Sequence, residues 1–348
     1  MNLELSEEQG LIRDTARGFA ERVLAPRAAA RDASSAFPVE ELAELAKLGL
    51  LGVNVPAALG GSEAGVVAYA LAIMELARAD ASVAVAVAVS NMVAELIAKV
   101  GTPEQAQAWV PALVAGKRVV GAFALSEPQA GSDPSAIASV ARPTDRGFAL
   151  TGTKQWITSG THAGLFLVWA RSDEVPGSRG LSVFMVPSGT PGLTVGRSED
   201  KMGLRGSSTV QLHLEDCEVP ASSMLGGRGG GFKLAMLALD GGRIGIASQA
   251  TGVATAALEA AIAYAKQRIQ FGVPLAKHQA IQMMLADMAV DVASSRLLAL
   301  RAAWLKETGA VYQRAAAIAK LHASERAWKV CDRAVSYTHL TLPTSDLV

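Results

Sequence analysis

Two short stretches of the sequence set small polar residues at the end of an apolar run. In "FALSEPQAGSD" (123–133), Ser126, Gly131 and Ser132 follow the apolar Phe123, Ala124 and Leu125. In "KQWITSG" (154–160), Trp156 and Thr158 flank Ile157. Small residues and backbone amides at a strand end let a ligand come close. On a strand, Trp156 and Thr158 project to the same side, so an indole face and a hydroxyl can meet one flat ligand. The bland alternative is that the indole fills a core and the Gly-Ser-Asp is only a turn, and the residues alone leave both open. Asp240 and Arg243 stand three apart on a helical pattern. That spacing suits a polar ligand, but a surface ion pair satisfies it equally well.

Several chemistries are excluded by inspection. No G-x-S-x-G elbow, H-E-x-x-H, C-x-x-C or P-loop occurs. The five histidines show no i,i+4 pair, and the two cysteines, Cys217 and Cys331, make neither a disulfide framework nor a metal knuckle. No metal site is expected. The 32 basic and 32 acidic residues cancel, so no electrostatic footprint for nucleic acid or an acidic membrane emerges. The start "MNLELSEEQG" lacks the basic and apolar regions of a signal peptide and the Arg-rich character of a transit peptide, which leads us to expect a cytoplasmic protein.

These residues need elements to hold them. Ser6 and Gln9 form a capping-box pattern, and Leu11, Thr15, Phe19 and Val23 follow on one stripe until Pro26 is expected to stop the helix. Pro38 to Gly49 predicts a second helix, with Leu42, Leu45 and Leu48 inward. The run "ASVAVAVAVSNMVAELIAKV" reads as a buried helix, because Ser90, Asn91, Glu95 and Lys99 argue against a membrane span. From about residue 118 the period changes. "RVVGAFAL", "GFALTGTKQWIT", "AGLFLVWA", "GLSVFMVP" and "STVQLHLEDCEVP" read as strands of a small barrel or sandwich. After "GGRGGG" helices return, with Ile281, Leu285, Met288 and Val292 on one stripe and a last helix over about 311–334. Helices, then strands, then helices give the α+β class. The expected division is an N-terminal helical domain (1–117), a central β domain (118–228), a C-terminal helical bundle (229–335) and a tail (336–348).

Five stretches, in order, carry a resemblance: "FALSEPQAGSD", "KQWITSG", "KMGLRGSSTVQLHLEDCEVP", "LALDGGRIGIASQATGV" and "KQRIQFGVPLAKHQAIQ". Together they resemble the acyl-CoA dehydrogenase family, nearest to its short-chain, butyryl-CoA members, over roughly residues 3–335. The resemblance implies an FAD-dependent oxidoreductase that converts a short- to medium-chain acyl-CoA to the trans-2-enoyl-CoA. It also implies a homotetramer that passes electrons to electron transfer flavoprotein. Residues 123–132 would line the isoalloxazine, with Ser126 on its polar edge and Ser132 where the acyl-CoA passes. Trp156 and Ile157 would lie against the flavin, Thr158 would bond at N5, and Asp240 and Arg243 would contact the CoA portion. Arg268, Phe271, His278 and Gln279 would reach the FAD of a neighbouring subunit. Related flavin oxidases of the acyl-CoA or nitroalkane type, and a non-catalytic FAD or acyl-CoA binder, are the alternatives.

The family's usual catalytic base is a Glu in an E-G-T motif near the C-terminus, after an H-G-G segment, and neither motif occurs here. After "KVCDRAV" the chain runs "SYTHLTLPTSDLV", which fits no helix of the family and resembles the translation of a library adapter. The expectation is therefore a truncated gene product, inactive as given. Other relatives carry the base one residue before the D-x-x-R arginine. That position is Gly242, where the missing side chain is expected to leave room for a carboxylate.

Overall fold

A computed structural model of the chain describes residues 4–338. The expected tail from His339 onward lies outside the described residues, whereas Ser336, Tyr337 and Thr338 continue the last helix. Six helices open the chain: α1 (Glu7–Phe19), α2 (Ala25–Ser34), α3 (Val39–Lys47), α4 (Gly65–Ala79), α5 (Ala81–Val100) and α6 (Pro103–Val114). Eight strands follow: β1 (Val120–Ala124), β2 (Val140–Thr144), β3 (Gly147–Thr158), β4 (Ala163–Arg171), β5 (Leu181–Pro187), β6 (Leu193–Ser198), β7 (Thr209–Pro220) and β8 (Met224–Leu225). The last third is α7 (Gly231–Gln267), the short hairpin β9 (Ile269–Gln270) and β10 (Val273–Pro274), α8 (Gln279–Glu307) and α9 (Gln313–Thr338).

The capping box at Ser6 forms as expected, with Gln9 N–H donating to Ser6 Oγ and Ser6 N–H to Gln9 Oε1. Pro26 does not end the helix. A π-turn over Ala20–Leu24 joins α1 to α2, and Pro26 falls in the first turn of α2, where the amide it lacks needs no partner. Leu11 and Leu48 are exposed, against expectation, while Ala16, Phe19, Leu42 and Leu45 carry the packing. The inward arc of α1 is shifted from the Leu11 stripe. α3 ends before Leu48, so that side chain leaves the buried face.

Helix α5 is buried as its composition predicts, and its polar residues have partners. Asn91 Oδ1 accepts from Val53 N–H, its amide donates to Leu50 and Val87 carbonyls, and Ser90 Oγ accepts from Gly121 N–H of β1. Among the described residues, α5 and α7 are long and apolar enough to cross a bilayer, but 72% of the α5 window is packed inside the fold.

The strands form one eight-stranded sheet, ordered β6-β7-β3-β2-β4-β5-β8, with β1 pairing in parallel on β4. Its two ends, β6 and β8, do not pair, so the barrel is open. β2 and β6 are not legible as strands, because most side chains of each lie outside the core, although β2 sits between β3 and β4 and, of the two, only β6 is an edge. In β4 and β5 successive side chains serve two cores, which explains their continuous apolar runs. Leu165, Leu167, Trp169, Val183 and Met185 pack with α5, α6 and α7, whereas Phe166, Val168, Phe184 and Val186 pack against β1, β3 and β7. Trp169 Nε1 donates to Gly231 O at 2.8 Å and so fixes the start of α7 on the sheet. Further along, α7 passes so close to α4 that a Cβ at Gly252 would lie 2.3 Å from the Met74 carbonyl oxygen.

Candidate functional site

Parallel pairing of β1 with β4 obliges the chain to travel away and return between them. That excursion carries the turn after β1 and the β2–β3 hairpin, and its walls form a cleft of about 560 Å³. Phe123, Leu125, Ser126, Gly131, Ser132, Trp156, Ile157, Thr158 and Arg243 all line it. The structure thus brings the two quoted turns to one place. Ala124 points the other way, into the core between the sheet halves. Ile157 is likewise buried in that core and only borders the cleft. A Cβ at Gly131 would meet nothing within 4 Å, so this glycine opens onto free cleft and is not held against another part of the fold.

Trp156 has two properties that a core tryptophan lacks. It is 59% exposed, and its φ of 62° lies in the left-handed region. The pairing of β3 with β7 slips between Lys154 and Ile157, a bulge that turns the indole out of the ladder. A bulky residue in that conformation costs about 1 to 3 kcal/mol and persists only where the surroundings impose it.

The remaining wall is helical. Phe232, Met236, Leu239 and Arg243 follow one another at steps of four, three and four along α7, and Val89 and Met92 are three apart on α5. This helical spacing was available in the sequence, but only Asp240 and Arg243 were singled out from it. Asp240 does not line the cleft. Its Oδ1 accepts from Arg243 Nη1 in an i,i+3 ion pair that steadies the arginine beside the cleft. A Cβ at Gly242 would meet Met92 Sδ at 3.1 Å, so the room expected there exists only if the flexible methionine gives way.

Behind the cleft lies a feature that sequence reasoning missed. Lys154 Nζ donates to Glu127 Oε1 at 2.6 Å, with both side chains buried. Glu127 also accepts from Ala138 N–H at 2.7 Å, Ser139 N–H at 3.1 Å and Gln129 Nε2 at 2.6 Å. Burial drives the Lys154 ammonium down to about 8, against the opposing pull of Glu127. Burial would raise the Glu127 carboxyl, but the Lys154 charge and the hydrogen bonds from Lys154, Ser139 and Ala138 outweigh it and hold it below the usual carboxylate range. Both residues sit inside the quoted stretches. The visible signal was a charged residue in each of two otherwise apolar strand ends.

Asp133 is the one carboxylate among the cleft-lining residues. Its Oδ1 accepts from Ser135 N–H and Oγ, and these bonds hold it below the usual range. A carboxylate so placed is a weak proton acceptor. Among the described residues no group of three or more His, Cys, Asp or Glu is arranged to hold a metal ion.

Arg268, Phe271, His278 and Gln279 lie apart from the cleft, at and after the end of α7. Phe271 is 94% exposed with a φ of 53° at the tip of the β9–β10 hairpin, and the His278 ring packs edge-on against it. His278 Nε2 is 3.2 Å from the Gln270 carbonyl, and Arg268 and Gln279 face outward.

The acyl-CoA dehydrogenase N-terminal, middle and C-terminal domain families match residues 6–117, 122–217 and 229–337. The human mitochondrial short-chain specific acyl-CoA dehydrogenase is 46% identical over 335 residues, which is 96% of this chain and 81% of that protein. The solved butyryl-CoA dehydrogenase of Megasphaera elsdenii superposes with a TM-score of 0.95 at 41% identity, covering 97% of this chain and 90% of that one. A chain from a structural study of the electron transferring flavoprotein of Acidaminococcus fermentans superposes with a TM-score of 0.96 at 40% identity, covering 97% and 89%.

If the Trp156 backbone is strained for the sake of the cleft, Trp156→Gly leaves the ligand-free chain as stable as before or raises its stability by up to about 1 kcal/mol. Urea unfolding measures this. A loss of about 3 to 5 kcal/mol, as for truncating a buried indole, contradicts it.

Proposed function

Because the chain belongs to the acyl-CoA dehydrogenase family, an FAD-dependent family of oxidoreductases, we propose that it is built to dehydrogenate a short-chain acyl-CoA thioester between its α- and β-carbons. The observation that carries this reading is the exposed, left-handed Trp156 set in one cleft with Ser126, Gly131, Ser132, Thr158 and Arg243. The cleft fits a flat cofactor: it has apolar helical side chains on one wall and an indole and three hydroxyls on the other. FAD, when bound there, supplies the acceptor for the hydride that leaves the β-carbon.

The chain's own residues bind and orient. Trp156 and Phe123 give apolar contact, and Ser126 and Thr158 offer hydroxyls to the polar edge of the ring. Ser132, on the exposed side of the turn, borders the path of the thioester, and Arg243 offers a charge to the CoA portion with Asp240 steadying it. An α-proton beside a thioester is weakly acidic, so its removal needs a positioned base. Asp133 is turned to its own loop, and we place the base outside the described residues. The relatives' short-chain names support a short acyl group. The Acidaminococcus relative supports an electron transferring flavoprotein as acceptor.

The assembly we propose is a homotetramer. The protruding Phe271 and the outward Arg268 and Gln279 suit a contact with a second copy, where Arg268 would meet the pyrophosphate of that copy's FAD. His278, packed against Phe271, would hold the hairpin that makes this contact.

Four outcomes test the proposal. Thr158→Ala is expected to weaken FAD binding by about 0.5 to 1.5 kcal/mol, roughly two- to twelvefold in Kd. An unchanged Kd in a fluorescence titration removes Thr158 from the flavin site. Arg268→Ala should lower FAD retention and the assembly size together, read by gel filtration at flavin wavelengths, and loss of neither leaves Arg268 an ordinary surface residue. Mixed anaerobically with butyryl-CoA, the chain should bleach its flavin roughly 10² to 10⁴ times more slowly than the Megasphaera enzyme, the factor a general base supplies. Gly242→Glu should recover part of that rate once Met92 yields. Equal rates for the unaltered chain overturn the assignment of the base, and no gain from Gly242→Glu shows that this position does not face the α-carbon.

A further inference from the structure

The turn after β1 is held by a Glu127–Ala130 backbone bridge, by Asp133 accepting from Ser135 and by Arg171 Nη2 donating to the Ser135 and Ile137 carbonyls, none of which reaches the β3 bulge. Between Glu127 and Ser139 the apolar anchors are Ala130 and Ile137, while Gly131, Ser132 and Asp133 are exposed along the cleft. Opposite, the β3 ladder is broken at the bulge that bears Trp156. The turn and the bulge are two walls of one cleft. Two cross-links join them: Gln155 N–H donates to the Ser126 carbonyl at 2.9 Å, and Lys154 Nζ donates to Glu127 at 2.6 Å. Lys154 also approaches the Leu125 carbonyl at 3.4 Å. The linked residues are sequence neighbours of the cleft-lining ones: Glu127 follows Ser126, and Lys154 precedes Trp156 by two positions.

Resting on the flavin reading above, we propose that Glu127 and Lys154 are positioning residues of the cofactor site. Their buried ion pair locks the Ser126–Ser132 turn to the Trp156–Thr158 bulge, so that a flat ligand meets a preformed cleft. Stability alone is a poor reason for such a pair. Taking two charges out of water offsets most of their attraction, and apolar residues of similar size often hold a core as well. What they could not reproduce is direction. Four donors converge on one carboxylate, two from the far end of the turn and one from the opposite strand, and this fixes the separation of the walls.

The single changes Glu127→Gln and Lys154→Met each leave a buried group without its partner, so the decisive protein is the double variant. Glu127→Gln with Lys154→Met removes both charges, keeps one oxygen to accept from the Ala138 and Ser139 amides, and cuts the ionic link between the walls. Three readouts are taken on the full chain: thermal unfolding without ligand, FAD affinity of the apoprotein by quenching of flavin fluorescence, and circular dichroism of the bound flavin in the visible region. The double variant is expected to unfold within a few degrees of the unaltered chain, to bind FAD at least tenfold more weakly and to show an altered visible spectrum. A folded double variant with unchanged affinity and spectrum overturns the proposal. So does one that cannot fold, which assigns the pair to the stability of the domain. Failure of the unaltered chain itself to bind FAD would refute the flavin reading instead.

Discussion

A carboxylate and an ammonium buried together behind the cleft are the constraint on which the site depends. Glu127 and Lys154 lie on opposite walls, and the rest of the β domain is arranged so that water cannot reach either. Their charges are tolerable only because each is satisfied: Glu127 by Lys154, by two backbone amides and by Gln129, and Lys154 chiefly by Glu127. With that pair in place, the parallel seating of β1 on β4 delivers one wall and the bulged end of β3 delivers the other. The Trp169 bond to Gly231 then brings α7 across to close the third side.

Much of this was legible in the sequence for physical reasons. The alternation of Val210, Leu212 and Leu214 in β7 survives because one face of that strand is buried and the other is not. The Ile281, Leu285, Met288 and Val292 stripe is found on α8, packed around the fully buried Met288. The two turns were recognisable because each ends an apolar run with small polar residues, and the fold indeed brings them to one cleft. What was not legible depends on tertiary context. The π-turn that lets Pro26 sit inside a continuing helix has no simple sequence mark. β2, inside the sheet, and β6, at its edge, are strands without an apolar face to betray them. Glu127 and Lys154 are 27 positions apart, and nothing local says that two charges in apolar surroundings will find each other. The strain at Trp156 is of the same kind, since only the slipped pairing with β7 makes it visible.

The helices divide their labour in a way that follows from packing. α5 spends its apolar surface on both the sheet and the N-terminal bundle, and its buried Asn91 and Ser90 tie it to the loop at Val53 and to β1. α7, about 55 Å long at its 37 residues, offers one stripe to the cleft and, a few turns later, a glycine to the close crossing with α4. One helix therefore couples the cleft wall to the bundle core. The hairpin that bears Phe271 begins directly after it.

The two turns are the proposed walls of a flavin site. A crystal structure of the chain grown with FAD tests this most directly. The isoalloxazine is expected between the Ser126–Ser132 turn and the Trp156 indole, with Thr158 within hydrogen-bond distance of the ring and the Glu127–Lys154 pair unchanged behind it. Flavin density elsewhere on the chain, with this cleft filled only by solvent, would contradict it.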